Sequence, residues 1–229
     1  MLKVTDLKRQ FKSGDTTVNA VNGIDLTIPD GQFVSIIGQS GSGKTSLLSL
    51  LGALDKPSSG SIEVDGRDIT KMNGGELNQY RAKTIGFVFQ SYNLVPNLTA
   101  LENVMLPMEF LGKPKRDRIE RAKNLLHEVG LNDGEVLRKP GSLSGGQQQR
   151  VAIARALANH PKYILADEPT GNLDSQTGKK IFNLLHDLSL KEKTTIIVVT
   201  HDLAIAGKTN KSFRIKDGRV VNSTDRSRT

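Results

Sequence analysis

The stretch FVSIIGQSGSGKTSLLSLL, from Phe33 to Leu51, passes from an apolar run through a glycine-rich corner into a leucine-rich run. FVSII reads as a short strand buried on both faces, and TSLLSLL continues with helical spacing. Between them GQSGSGKT, Gly38 to Thr45, fits the pattern G-x-x-x-x-G-K-[ST]. A strand before it and a helix after it form the setting that a phosphate-binding loop requires. Glycine lets the backbone turn so that successive N–H groups point at phosphate oxygens. The helix N-terminus adds the positive end of its dipole. The loop is therefore expected to cradle a nucleotide through Gly38, Ser40, Gly41, Ser42, Gly43, Lys44, Thr45 and Ser46. Lys44 is placed to reach the β- and γ-phosphates, and the Thr45 hydroxyl to ligate Mg²⁺. A turn that bound nothing would have no need of a lysine and a hydroxyl at those two places.

A loop of this kind needs an acid for its metal. KYILADEP, Lys162 to Pro169, supplies a strand ending in two carboxylates. Asp167 is expected to hold Mg²⁺ and Glu168 to polarise the attacking water. Further along the same logic, LSGGQ at Leu143 to Gln147 opens the helix through RVAIARALA. Ser144 and Gln147 have the spacing of a capping box. Ser144 with the Gly145 and Gly146 backbone also forms a second anion site at a helix N-terminus. The two readings are compatible, since a cap that orients the helix also aims its dipole.

The bulk numbers are those of a folded chain. Its 229 residues suffice for one domain or two intimate subdomains. Hydrophobic residues make up 36% and charged residues 24%, which is not the composition of a disordered protein. The longest apolar runs, such as TIIVVT, are strand-sized and too short to span a bilayer. MLKVTDLKRQF carries no apolar signal core, so export is not expected. Cysteine is absent, which fits a reducing compartment and leaves no thiolate metal site. The net charge of +8 is mostly dispersed. Its one dense run, Lys113 to Lys123, mixes acids with bases and reads as a solvated helix face. It lacks the aromatics and reading helix of a nucleic-acid binder, so no nucleic-acid partner is expected. His127, His160 and His186 have no metal-ligand spacing and read as surface or structural residues.

Strand and turn signals alternate over the first sixty residues, in VNAVNGIDLTI and QFVSIIG; the hairpin IEVDGRDI, with Asp65-Gly66 at its turn, and the buried strand TIGFVFQ follow. Gly43 to Leu54 reads as a helix. From Ser91 to about His160 the spacing is helical, in LTALENVMLPMEF, RDRIERAKNLLHEVGL and GQQQRVAIARALANH. Strands return in YILAD, TTIIVVT and FRIKDGRVV, with TGKKIFNLLHDLSLK as a helix among them. The expected fold is α/β: a P-loop NTPase core of mixed sheet and flanking helices, with an antiparallel β subdomain and an inserted α-helical subdomain. The boundaries read as a single domain over 1–221, with the core and β parts at 1–90 and 161–221 and the helical part at 91–160. A polar tail, 222–229, is expected to fray.

Taken together these motifs resemble the nucleotide-binding subunits of ATP-binding cassette transporters, over about residues 2 to 221. GQSGSGKT looks like Walker A, Gln90 after GFVF like the Q-loop, LSGGQ like the signature, and YILADE like Walker B with its glutamate. GNLD ending at Asp174 looks like the D-loop, and His201 after TIIVVT like the switch histidine. All occur in the family's order. The stretches LGALDKPSSG, GFVFQSYNLVPNLTALENVMLP and the run from Leu143 to Gly178 are closest to a branch that includes lipoprotein-releasing, macrolide-exporting, haem-exporting and cell-division ATPases.

The resemblance implies Mg²⁺-dependent ATP hydrolysis by Glu168, His201, Gln90 and Lys44, with the metal held by Thr45, Gln90 and Asp167. It implies that Phe11 stacks on adenine, and that Asp174 and the signature residues Ser144, Gly145, Gly146 and Gln147 contact nucleotide. It further implies a head-to-tail homodimer, in which the signature of one subunit closes over ATP in the other's P-loop. Integral membrane permease subunits would be the partners, at the cytoplasmic face of the membrane, with a hydrophobic or amphipathic cargo exported or extracted. Two alternatives stay open: an ATP-driven transmitter to a membrane partner without transport, and a soluble cassette ATPase.

Overall fold

The structure is a computed structural model that describes residues 1–14 and 16–226. The described chain forms two compact units. One comprises Met1–Arg81 and the segment from Thr195 onward, and the other Ala82–Thr194.

The first unit opens with a long hairpin. Strand β1 (Leu2–Ser13) pairs antiparallel with β2 (Thr16–Ile28) from Leu2↔Ile28 to Ser13↔Thr16. The other edge of β1 pairs with β4 (Ser59–Val64), and β4 turns back through Asp65 and Gly66 into β5 (Arg67–Asp68). The order is β2-β1-β4-β5. Leu2, Val4 and Leu7 are buried, so the buried face switches parity between Val4 and Leu7. The register shifts there, and Asp6 takes a left-handed φ of 41°. A bulge of this kind re-aims the strand and lets both halves bury an apolar face.

Strand β3 (Phe33–Ile37) is buried at every residue. It lies parallel to β8 (Thr195–Thr200), with Phe33 opposite Ile196, and to β9 (Lys211–Lys216), with Val34 opposite Lys211. A strand apolar at every position but Ser35, whose hydroxyl is hydrogen-bonded to that of Thr209 at 2.9 Å, is what a position flanked by strands on both edges and covered on both faces selects. β10 (Arg219–Asp225) runs antiparallel to β9. Helices α1 (Lys44–Leu51) and α8 (Leu203–Ala206) contact this sheet. Helix α1 is shorter than the span Gly43 to Leu54 read from sequence: Gly43 is its N-cap and Gly52 its C-cap. The polar residues 222–225, read as the start of a frayed tail, instead continue the ladder as far as Asp225↔Lys211. Backbone pairing with β9 offsets their lack of apolar side chains. Arg226 follows the strand, its amide donating to the Asn210 carbonyl at 2.7 Å, and the last part of the expected tail, 227–229, lies outside the described residues. Helix α2 (Gly74–Thr84) was not legible, because Tyr80 is its one buried residue and its spacing carries no apolar stripe.

In the second unit β6 (Ile85–Val88) and β7 (Tyr163–Asp167) pair in parallel, Ile85 opposite Tyr163. Helices α3 (Ala100–Phe110), α4 (Lys115–Glu128) and α6 (Gly145–Leu157) pack on one another, with the short α5 (Asp133–Val136) against α3 and α4. Helix α7 (Ser175–Glu192) lies against α6. The fully buried Asn103 organises the loop before α3. Its side chain accepts from the Val95 amide and donates to the carbonyls of Val95, Leu98 and Thr99. Part of the basic run is structural: Arg118 pairs with Glu109 at 2.6 Å, and Arg121 with Glu192 at 3.7 Å.

Helix α6 approaches β6 so closely that a Cβ on Gly86 would stand 2.4 Å from the Ala156 carbonyl oxygen. That neighbour is backbone and cannot rotate away. Gly86→Ala is therefore expected to lower stability by roughly 1–3 kcal/mol, as overpacking does. Urea unfolding checks this, and an unchanged midpoint would mean that α6 and β6 can separate freely.

Candidate active site

The glycine-rich loop lies entirely in the first unit, at the C-terminal end of β3 and the start of α1. Gly43 sits at φ 99°, and a Cβ there would fall 2.0 Å from the Ala20 carbonyl oxygen. Only glycine meets both conditions. The loop is held by backbone on its far side. The Gly218 amide donates to the Ser42 carbonyl at 3.0 Å, and the Asn22 amide donates to the Gly218 carbonyl at 2.8 Å. The first hairpin and the β9–β10 turn thus brace the loop.

What the loop leaves open fits phosphate. The N-cap of helix α1 is Gly43, which has no side chain and makes no side-chain cap hydrogen bond to the first turn. The Ser42 hydroxyl is buried without a hydrogen-bond partner. Lys44 is 7% exposed and its ammonium donates to the Gln39 carbonyl at 2.9 Å, folded back over the loop. Uncapped amides, a buried hydroxyl and a buried ammonium on one turn form a set that an anion completes. Thr45 and Ser46 follow on the first turn of α1. Phe11, on β1, is 41% exposed and has the Arg9 guanidinium 4.4 Å over its ring. His201 follows β8 directly and is exposed, and the next residue, Asp202, caps α8 through the Ala204 amide.

The second unit carries the remaining expected residues. β7 delivers Asp167 at its end, and Glu168 follows at a left-handed φ of 44°. A glutamate held in that region is strained by about 1–3 kcal/mol, a cost met where a side chain must be aimed. The turn is closed by the Gly171 amide donating to the Glu168 carbonyl at 3.0 Å. Gln90 is joined to the same turn. Its amide donates to Asn172 Oδ1 at 3.2 Å, and Asn172 Nδ2 donates to the Gln90 carbonyl at 3.0 Å. Sequence reasoning missed Asn172, because its partner lies 82 residues away.

At the signature the capping box is formed as its spacing predicts. The Gln147 amide donates to Ser144 Oγ at 3.3 Å, and the Ser144 amide to Gln147 Oε1 at 2.8 Å. Gln147 Nε2 also donates to Glu135 at 2.6 Å, which ties the corner to α5. The amides of Gly145 and Gly146 are left with no acceptor among the described residues. They line a groove of about 480 Å³ with Ser144, Asn172, Asp174 and Thr177, and Arg150 and Lys180 add positive charge to its wall. Asp174 caps α7, accepting from the amides of Gln176 and Thr177 at 3.0 Å each.

Thr45, Gln90 and Asp167 offer a hydroxyl, an amide oxygen and a carboxylate, the hard oxygen donors that Mg²⁺ prefers. Thr45 belongs to the first unit, Gln90 and Asp167 to the second. Among the described residues, no group of three or more His, Cys, Asp or Glu could hold a metal. The remaining histidines each lie beside a carboxylate: His127 by Asp133 at 3.0 Å, His160 by Glu192 at 3.2 Å and His186 by Asp187 at 3.5 Å.

The chain is similar to known cassette proteins. Residues 21–171 match the family model described as ABC transporter. The lipoprotein-releasing system ATP-binding protein LolD of Syntrophus aciditrophicus is 46% identical over 221 residues, covering 96% of this chain and 99% of that protein. The macrolide export ATP-binding/permease protein MacB of Mannheimia succiniciproducens is 46% identical over 226 residues, covering 99% of this chain but 35% of that longer protein. Among solved structures, the ATP-binding cassette MJ0796, a dimer in a post-hydrolysis state bound to ADP and Pi, superposes with a TM-score of 0.92. The identity there is 44%, over 99% of both chains. The fold is that of a P-loop NTPase cassette.

A side-chain hydrogen bond from Thr177, with that residue's amide and the Gln176 amide, holds the Asp174 carboxyl below its ordinary value of 3.8. A carboxyl lowered on folding stabilises fully above its unfolded value and loses that contribution as pH falls through its folded value. Asp174→Ala is expected to lower the unfolding midpoint at neutral pH. The gap between parent and variant should close only as pH drops below 3.8. A gap that persisted unchanged into strong acid would contradict the cap.

Proposed function

This chain belongs to the ABC transporter family, and from that premise we propose that it acts as a homodimer closing head-to-tail on Mg-ATP to drive a separate membrane permease. It is an ATPase and a nucleotide-binding subunit of the LolD and MacB type. The observation that carries the dimer reading is that one chain holds two separate anion-receptive corners in different units. One is the uncapped start of α1, with the buried, unpartnered Ser42 hydroxyl. The other is the pair of signature amides in their own groove. Two corners in one chain fit two copies, each lending its signature to the other's nucleotide.

In this reading the loop amides from Gly38 to Gly43, the Ser40 and Ser42 hydroxyls and Lys44 bind the phosphates, and Phe11 offers its ring to adenine. Transfer of the γ-phosphoryl group leaves little covalent work for the protein, so positioning and charge neutralisation carry the rate. Thr45, Gln90 and Asp167 would hold Mg²⁺, which supplies positive charge against the phosphate oxygens when bound. Glu168, aimed by its left-handed backbone, orients and polarises the attacking water. His201 contacts the γ-phosphate. The Gly145 and Gly146 amides, with Ser144 and Gln147, neutralise charge on the partner subunit's nucleotide, and Asp174 sits beside them.

Among the described residues, no helix is long and apolar enough to cross a membrane. Attachment to the cytoplasmic face would come through the permease. The curated relatives are named for lipoprotein release and for macrolide export, and the choice of cargo belongs to the permease chain. The single-chain arrangement of MacB, of which this chain spans about a third, illustrates such a pairing of ATPase and permease.

Glu168→Gln is expected to leave nucleotide affinity near the parental value and to reduce turnover by about 10²–10⁴-fold, the range for removing a general base. Phosphate release and equilibrium nucleotide binding measure the two quantities; parental turnover in this variant would remove Glu168 from the mechanism. Lys44→Ala should instead raise the dissociation constant for ATP at least about tenfold, a loss of ~1.4 kcal/mol. An unchanged ATP affinity would count against the cradle.

A further inference from the structure

The segment after Gln90 has an unusual backbone. Tyr92 and Asn93 are consecutive left-handed residues, at φ 60° and 49°. Two such residues in succession cost energy and need something to hold them. Arg155 of α6 does so. Its Nη2 donates to the Tyr92 carbonyl at 2.8 Å and its Nη1 to the Asn93 carbonyl. The left-handed pair turns two adjacent carbonyls toward one guanidinium fork, an acceptor geometry that suits arginine and not lysine. The partners are 62 and 63 residues apart in sequence. Burial lowers the pKa of this guanidinium, and arginine still remains charged in proteins.

The other end of Tyr92 reaches the signature. A Cβ on Gly145 would lie 2.8 Å from the Tyr92 hydroxyl oxygen, so the phenol rests against the first glycine of the corner. Along α6, Gly145 and Arg155 are about 15 Å apart at ~1.5 Å per residue. Long helical side chains lean toward the N-terminus, so Arg155 leans toward the corner that Tyr92 covers. Gln90, two residues before Tyr92, is tied to Asn172, and Asn172 lines the groove with Gly145. The contacts close a ring within the second unit: Gln90, Asn172, the groove, Gly145, Tyr92 and back.

We propose that Arg155 is a positioning residue whose fork locks Tyr92 and Asn93 onto α6, so that the segment after Gln90 and the signature corner move as one body. Displacing that segment then displaces the Gly145 amide, and the readiness of the groove for the partner's nucleotide follows the state of the Gln90 segment. Without the fork the left-handed pair relaxes and the corner loses its support. Arg155 touches neither substrate nor metal in this account. The inference rests on the reading of the groove as the seat of the partner subunit's nucleotide.

The test uses the full chain with Arg155→Ala, Arg155→Lys and Tyr92→Ala. Nucleotide affinity and turnover are measured in each. ATP-dependent dimerisation is measured in the same variants carrying Glu168→Gln. Affinity for ATP should stay within about twofold of the parent, because the cradle belongs to the other unit. Turnover should fall tenfold or more, and the protein concentration for half-dimerisation should rise by a similar factor. Arg155→Lys should recover little, since an ammonium cannot span both carbonyls, while millimolar guanidinium should restore part of the turnover of Arg155→Ala. Combining Tyr92→Ala with Arg155→Ala should cost no more than the worse single variant, because both break one device. If Arg155→Ala fails to fold, Arg155→Lys decides. A folded Arg155→Lys protein that turns over and dimerises within twofold of the parent would overturn the proposal, as would losses that multiply in the double variant. A Glu168→Gln parent that stayed monomeric with ATP would instead overturn the dimer reading, and the turnover measurements would still decide on the clamp.

Discussion

A phosphate cradle made of amides has to be held by other backbone, and the rest of the first unit depends on that constraint. Gly43 lies so near the Ala20 carbonyl that no side chain fits between them. The Ser42 carbonyl is bound by the Gly218 amide, and the Gly218 carbonyl by the Asn22 amide. The long hairpin and the β9–β10 turn therefore serve a common purpose. They hold one turn of chain in a fixed shape. A loop preorganised in this way meets the charge of a triphosphate without reorganising when it arrives.

The second unit solves a related problem with side chains. Its signature amides are exposed by a capping box that satisfies Ser144 and Gln147 between themselves and leaves both glycines open. Glu135 fixes Gln147 from outside, and Tyr92 and Thr177 close on the two glycines. Asn172 ties Gln90 to the turn that follows Glu168. In the proposed mechanism, Gln90 and Glu168, which act on the nucleotide, are thereby linked to Asn172 and the signature groove. Such linkage is what a machine converting hydrolysis into movement needs, because a bistable unit transmits small displacements that a soft one would absorb.

The sequence was most legible where the chemistry is local. The phosphate loop, the Asp167-Glu168 strand end and the Ser144–Gln147 box are each written within a few consecutive residues, and each folds as its spacing requires. Nothing local announced the pairing of Gln90 with Asn172 or of Arg155 with Tyr92 and Asn93, since those partners meet only through tertiary packing. Helix α2 escaped because GGELNQYRAKT buries Tyr80 alone and shows no stripe. Residues 222–225 looked like a tail because their side chains are polar, whereas the strand they extend is held by its backbone. The left-handed φ of Glu168 was equally invisible, because glutamate carries no mark of the conformation it is forced to adopt.

In the proposed dimer, the phosphate loop of one subunit and the signature of the other make one site. Mixing two inactive variants tests it most directly. Lys44→Ala disables the loop and keeps the signature, while Gly146→Asp disables the signature and keeps the loop. Each protein alone should turn over ATP at a small fraction of the parental rate. Mixed in equal amounts, they should regain hydrolysis, because the heterodimer contains one intact composite site. A mixture no more active than its two components, with heterodimer formation confirmed by a differential tag, would contradict the account.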